Sequence, residues 1–294
     1  VRQDGGVPAP RPEDLGLFTV DPGLLAANTA LAWHALVEVL EEIDLAAPSR
    51  AKRPTRDVVI GIGRWPDSRG IAELLADARS GRTEGEPFAA ASRRLAAAHA
   101  GASDEEVRDA VRRSAAETIE WLGSADYQAC GALPTPSPLG LLPVATTVHA
   151  AVYEVAMIAR DLVVAGARPR PELDDLGLVA LLDATGGVGA RLQLRAAAAA
   201  VAERTSVATE MLAGGWRTTV PADRDSPAVR GPAGVLLDLA GGRADWSTIR
   251  SQVQLQDTRG MLALAPVVEG IPDLPGGPLL RRVARLARLL GGFR

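Results

Sequence analysis

The sequence predicts a mainly α protein, a four-helix bundle followed by a smaller α+β C-terminal domain. Three observations carry that reading. Apolar residues recur at helical spacing, as in Leu36, Val39, Leu40 and Ile43 at i, i+3, i+4 and i+7. Start and stop signals bracket the long periodic segments. Beyond residue 170 the run Trp216-Arg-Thr-Thr-Val220 has the β-branched and aromatic character of a strand.

Taken in order, residues 1–20 hold several Pro and Gly and read as a flexible arm. Asp21-Pro22 is an N-cap followed by Pro at the first helical position, opening a helix over 22–44. Thr55 caps a second helix, which Gly61 and Gly63 weaken and Pro66 interrupts. Residues 69–79 resume the pattern and stop at Gly81, and the Ala-rich run 87–99 is helical. Ser103-Asp-Glu-Glu106 is a capping box for a third long helix, with Val107, Val111, Ser114, Thr118 and Leu122 on one stripe and Gly123 at its end.

Leu133 to Gly140 carries three prolines and reads as a stiff loop. A fourth helix over about 142–166 is apolar almost all round, which predicts a central, buried position. A Pro-containing link over 167–173 then separates a first domain (21–168) from a second (172–260). Helices are expected near 174–185 and 188–205, then the strand at Trp216, then a helix from Gly231-Pro232 to about Ala240. Residues 261–294 read as an extended tether, including Ala265–Gly277, and a basic amphipathic helix. In that helix Leu279, Val283, Leu286 and Leu290 share one face and Arg281, Arg285 and Arg288 another.

Composition excludes several classes. Net charge is −4 and no basic stripe runs along the chain, so nucleic-acid binding is not expected. Cys130 is the single cysteine, which rules out an internal disulfide and a Cys-rich zinc site. There is no basic start with an apolar run, and no stretch of about 18 uninterrupted apolar residues. A cytoplasmic location is the expectation.

Several segments, in order and spacing, resemble a known family. They are Thr55-Arg-Asp-Val-Val-Ile-Gly61-Ile-Gly-Arg-Trp65 with Glu73 to Gly81, Pro134 to Gly140, Tyr153-Glu154 to Leu162, and Gly231-Pro-Ala-Gly to Gly-Arg243. Over roughly residues 22–245 the chain is similar to the actinobacterial, mycothiol-dependent maleylpyruvate isomerase family. The resemblance implies a DinB-like four-helix bundle, mycothiol as cofactor, and isomerisation or thiol transfer. It also implies a divalent metal, usually zinc, held by a histidine of the second helix and by a glutamate and histidine four apart on the fourth. On this chain those positions carry Gly61, Glu154 and Ile158. Two ligands are absent, so no metal residue is assigned and no cofactor is expected; mycothiol and zinc enter only if the family activity is retained. His149 points half a turn away from Ile158, while His34 and His99 lie elsewhere.

Glu154 is the only acid between Leu141 and Arg160. An unpaired carboxylate in such a helix is costly. It is a vestigial acid paired with Arg64 or Arg160, a general acid or ligand-orienting group, or a residual metal ligand. Glu154 is therefore the catalytic candidate, and Trp65, Glu154, Arg160, Asp161 and Arg243 are the candidate ligand-binding residues. Arg243 suits a carboxylate. Cys130 has no activating partner in sequence and reads as packing.

The expected function is a family member that has lost its metal and binds a small molecule between bundle and C-terminal domain. Two alternatives stand beside it. One is an active mycothiol-dependent isomerase or thiol transferase with a rearranged metal site. The other is an interaction or membrane-surface protein acting through residues 278–294.

Overall fold

Helix α1, Pro22–Glu41, opens the part of the chain that the computed structural model describes, which is residues 22–50, 53–222, 226–244, 247 and 250–271. The expected arm (1–20) and basic helix (278–294) lie outside the described residues. About 54% of the described residues are helical, with a small sheet region toward the C-terminus. The protein is thus mainly α with a C-terminal α+β part.

Four short or medium helices follow local signals closely. Helix α2 (Thr55–Ile60) stops where Gly61 and Gly63 begin; Pro54 rather than Thr55 is its N-cap. Helix α3 (Ile71–Ser80) ends on Gly81, which takes the left-handed conformation that glycine tolerates best. Helix α4 covers Phe88–Ala98. Helix α6 (Ala125–Cys130) is capped by Ser124. Between them α5 (Asp104–Leu122) starts at the Ser103–Glu106 capping box, both halves of which form. The stripe Val107, Val111, Thr118 and Leu122 is buried.

The stiff loop expected before the fourth helix is instead a hairpin. Strands β1 (Pro134–Ser137) and β2 (Gly140–Pro143) pair antiparallel, with Thr135 opposite Leu142. A two-stranded hairpin has only edges, so prolines with no N–H to donate are tolerated there. Helix α7 (Val144–Leu162) follows and is buried on most sides, as its composition predicts.

The largest departure comes next. One unbroken helix, α8 (Pro171–Arg191), replaces the two expected, and the polyalanine run becomes strand β3 (Ala196–Val201). Alanine is the strongest helix former, yet the local preference is worth only tenths of a kcal/mol per residue. The sheet outweighs it. Strand β3 is central in the order β5-β4-β3-β6-β7, where β4 is Ser206–Leu212, β5 Gly215–Thr219, β6 Ala228–Arg230 and β7 Gln254–Gln256. Pairings are antiparallel except β3 with β6. Ala198 and Ala200 join the main core, while Ala199 packs with Ala208 and Ala228 on the other face.

Glycine explains how α8 lies so close to the sheet. A Cβ at Gly186 would overlap Thr209 Oγ1 and sit 2.7 Å from Trp216 Cδ1. One at Gly187 would sit 2.9 Å from Leu142 Cδ2. Helix α8 also packs along α7, so one apolar core runs from Leu25 in α1 to Val253 beside β7. Helix α9 (Ala233–Ala240) packs on α8 and α7.

The tether expected at Ala265–Gly277 is not extended at its start. After α10 (Thr258–Leu262), residues Ala265–Glu269 form helix α11, with Pro266 in its first turn. Val267 and Ile271 are buried with Val188 and Met211, and that apolar burial holds the segment against the protein. Among the described residues, no helix is long and apolar enough to cross a membrane.

Candidate functional site around Glu154

Helix α7 delivers Tyr153, Glu154, Ile158 and Asp161, and the turn after α9 brings Arg243 to them. Glycine permits that approach. A Cβ at Gly241 would lie 2.8 Å from Met157 Cε and 3.1 Å from Tyr153 Oη. Gly242 then turns the chain at φ 65°. Arg243 donates to the Met157 carbonyl at 3.2 Å and to Asp161 Oδ1.

Arg243 is thus committed to Asp161, not to Glu154. Asp161 is fully buried, and its Oδ2 has no hydrogen-bond partner among the described residues. Burial pushes its carboxyl up from the usual range, against the pull of Arg243. Glu154 is half-buried. Among the described residues it forms no hydrogen bond or ion pair. Burial, opposed by Arg243 and assisted by the Asp161 charge, pushes it up to about 7. Two carboxyls sharing one guanidinium cannot both ionise cheaply, and the one without a direct contact gives way. Burial also raises the Tyr153 phenol, so its hydroxyl stays a donor at neutral pH.

The partners first expected for Glu154 are engaged elsewhere. Arg64 pairs with Glu117 at 3.0 Å and Glu73 at 3.2 Å. Arg160 pairs with Asp238 at 2.7 Å and Asp174 at 2.8 Å. The vestigial ion-pair reading of Glu154 is therefore corrected. Arg160 itself lies about 120° around α7 from Glu154, at about 100° per residue.

Trp65 belongs to another set. It stacks on His99 at 4.0 Å, and its indole donates to the Ile60 carbonyl at 2.9 Å, closing the end of α2. So the structure brings Glu154, Asp161 and Arg243 together, and places Arg160 and Trp65 apart from them. Cys130 is buried and accepts a contact from Arg79 at 3.4 Å.

The residues at the three ligand positions that the family resemblance implies do not fit a three-ligand metal centre. Gly61 and Ile158 offer no side-chain donor, and a Cβ at Gly61 would overlap Ser92 Oγ, so the space for a longer side chain is filled. Among the described residues, no three His, Cys, Asp or Glu side chains are gathered so as to hold an ion.

Sequence reasoning overlooked a second polar centre. Asp183, fully buried on α8, accepts from the Trp216 indole at 3.1 Å and lies 3.4 Å from His149 Nδ1. Burial and this carboxylate push the Tyr127 phenol up to about 12. The signal was present, since Asp183 is the only acid between Asp175 and Glu203. The same test of a lone acid on an apolar helix had singled out Glu154.

No family model matches the chain, and no curated protein matches it. Two solved structures share its fold. One is the mycothiol-dependent maleylpyruvate isomerase, with a TM-score of 0.51 and 14% identity. The other is a histidine-to-alanine mutant of that enzyme, with a TM-score of 0.50 and 14% identity. Each alignment covers 82% of this chain and 94% of the other. At that identity the likeness speaks for fold alone.

Proposed function

We propose that this chain is a metal-independent relative of the mycothiol-dependent maleylpyruvate isomerases that binds a small molecule beside Glu154, between the helical and α+β parts. One observation carries the reading. Glu154 sits half-buried and unpaired next to a committed Arg243–Asp161 pair, with its carboxyl poised at about 7. A structural acid normally finds a hydrogen-bonding or charged partner. An unpaired one near neutrality suits a group that gains or loses a proton on a ligand.

The roles follow from the chemistry of the set. Glu154 holds or accepts the proton. Tyr153 offers a neutral donor, and Arg243, oriented by Asp161, offers positive charge to an anionic group. The solved relative is named for an isomerisation, and that supports looking for a ligand beside this set. Mycothiol is the first ligand to try for the same reason.

The test has two parts. Protein purified without chelator is incubated with excess zinc, desalted and assayed for metal by mass spectrometry. Mycothiol is then titrated calorimetrically into metal-free wild type and Glu154→Gln. The expected result is no retained zinc, with saturable binding that the substitution weakens. One tightly held zinc per chain, lost in Glu154→Gln, overturns metal independence and favours an enzyme with a rearranged metal site.

A further inference from the structure

On the far side of α7 from Glu154, a cavity of about 260 Å³ opens between α7, α8 and the segment after α1. Arg50, Arg160, Arg170 and Asp174 line it, and Val163 and Val164 form part of its apolar wall. Both valines are exposed, Val164 by 59%.

Those guanidinium groups are held from behind. Asp238 grips Arg50 at 2.9 Å and Arg160 at 2.7 Å, and Asp174 grips Arg160 at 2.8 Å. Glu42 holds Arg170 at 2.9 Å, with Glu38 and Glu172 farther off at 3.4 Å and 3.9 Å. Each arginine keeps N–H groups beyond those its acids use, since a guanidinium carries five. An arginine fixed in this way loses little freedom on meeting a carboxylate.

We propose that this cavity binds a small organic monocarboxylate, its carboxylate on the Arg50–Arg160–Arg170 cluster and its apolar body on Val163 and Val164. The three cations are already matched by Asp174, Asp238 and Glu42, so the spare guanidinium N–H groups rather than net charge would hold the carboxylate, and a dianion would meet more repulsion than a monoanion. At about 260 Å³ the cavity falls below the roughly 300–1,000 Å³ of pockets for drug-sized ligands, which limits the occupant to a small molecule. The apolar wall rejects a bare inorganic ion. The site stands on its own residues and does not depend on the reading of Glu154.

The probe is hexanoate, titrated into the full chain and followed by amide NMR, with hexanol and inorganic phosphate as comparators. The proposal expects saturable shifts confined to residues around 159–174, with both comparators at least about tenfold weaker. Val164→Glu places a like charge at the mouth on an exposed side chain outside every ion pair, and is expected to weaken hexanoate at least about tenfold. Val164→Lys is expected to tighten it. Absence of saturation, phosphate or hexanol binding as well as hexanoate, or unchanged affinity in both variants would each overturn the assignment.

Discussion

Trp216 on the sheet and Asp183 on the long helix are joined by a buried indole-to-carboxylate hydrogen bond of 3.1 Å. The bond ties α8 to β5, and the second oxygen of Asp183 faces His149 on α7. One carboxylate thus links the helical part to the α+β part.

Removing it takes away the acceptor of the Trp216 indole and the carboxylate that faces His149. Asp183→Ala is expected to cost about 3 kcal/mol, as for breaking a buried polar set by deleting one partner. Asp183→Asn keeps one carbonyl oxygen for the indole and is expected to cost less. Urea unfolding of both variants checks the order, and equal stability of Asp183→Ala and wild type would falsify the linking role.

Gly186 lies under the same indole. Gly186→Val forces a side chain into space held by Thr209 and Trp216. Overpacking of this kind costs roughly 1–3 kcal/mol. Near-ultraviolet circular dichroism reports the displaced tryptophan alongside the loss in denaturation midpoint. An unperturbed tryptophan signal would mean that helix and sheet are not in such close contact.

Glu154 gives the fold a pH dependence whose sign is opposite to that of a salt-bridged acid. Its folded value, about 7, lies above the ordinary 4.5, so the folded state holds a proton that the unfolded state has released. Stability therefore falls as pH rises through that window and levels above it, by at most on the order of 3 kcal/mol. Burial raises Asp174 to about 6 and adds a fall of the same sign that ends earlier. Between pH 6.5 and 8 the remaining slope belongs mainly to Glu154. Thermal melts across that range should slope downward for wild type and lie flatter for Glu154→Gln.

Ser103 accepts from the Glu106 amide at 3.3 Å at the start of α5. Ser103→Ala is expected to cost about 1 kcal/mol, and Ser103→Asp to restore most of it. A urea series on the two variants separates loss of the cap from loss of a side chain.

The sequence was readable wherever a local rule had no strong competitor. The Ser103–Glu106 box, the glycine stop at Gly81 and the short helix ending at Ile60 all appear in the structure. Strand β5 lies at the Trp216 run, and α9 follows Gly231-Pro232. Ala196–Ala200 was misread because alanine's helix preference is small beside the pairing and close packing of a central strand. The separate helices expected near 174–185 and 188–205 are instead one helix as far as Arg191, and Gly186, Gly187 and Gly189 let it press against the sheet.

For the candidate site the division is similar. The chain's composition and helical period already marked Glu154 as an acid in an apolar helix. They could not say that Arg243 would cross from the end of α9 to Asp161, or that Asp238 and Asp174 would occupy Arg160. What the sequence determined by itself is the helices with clear local start or stop signals, the Ser103 cap and the presence of a costly carboxyl. Only the tertiary structure decided which charge meets which, because ion pairing depends on atoms brought within a few ångströms by segments as much as 188 residues apart.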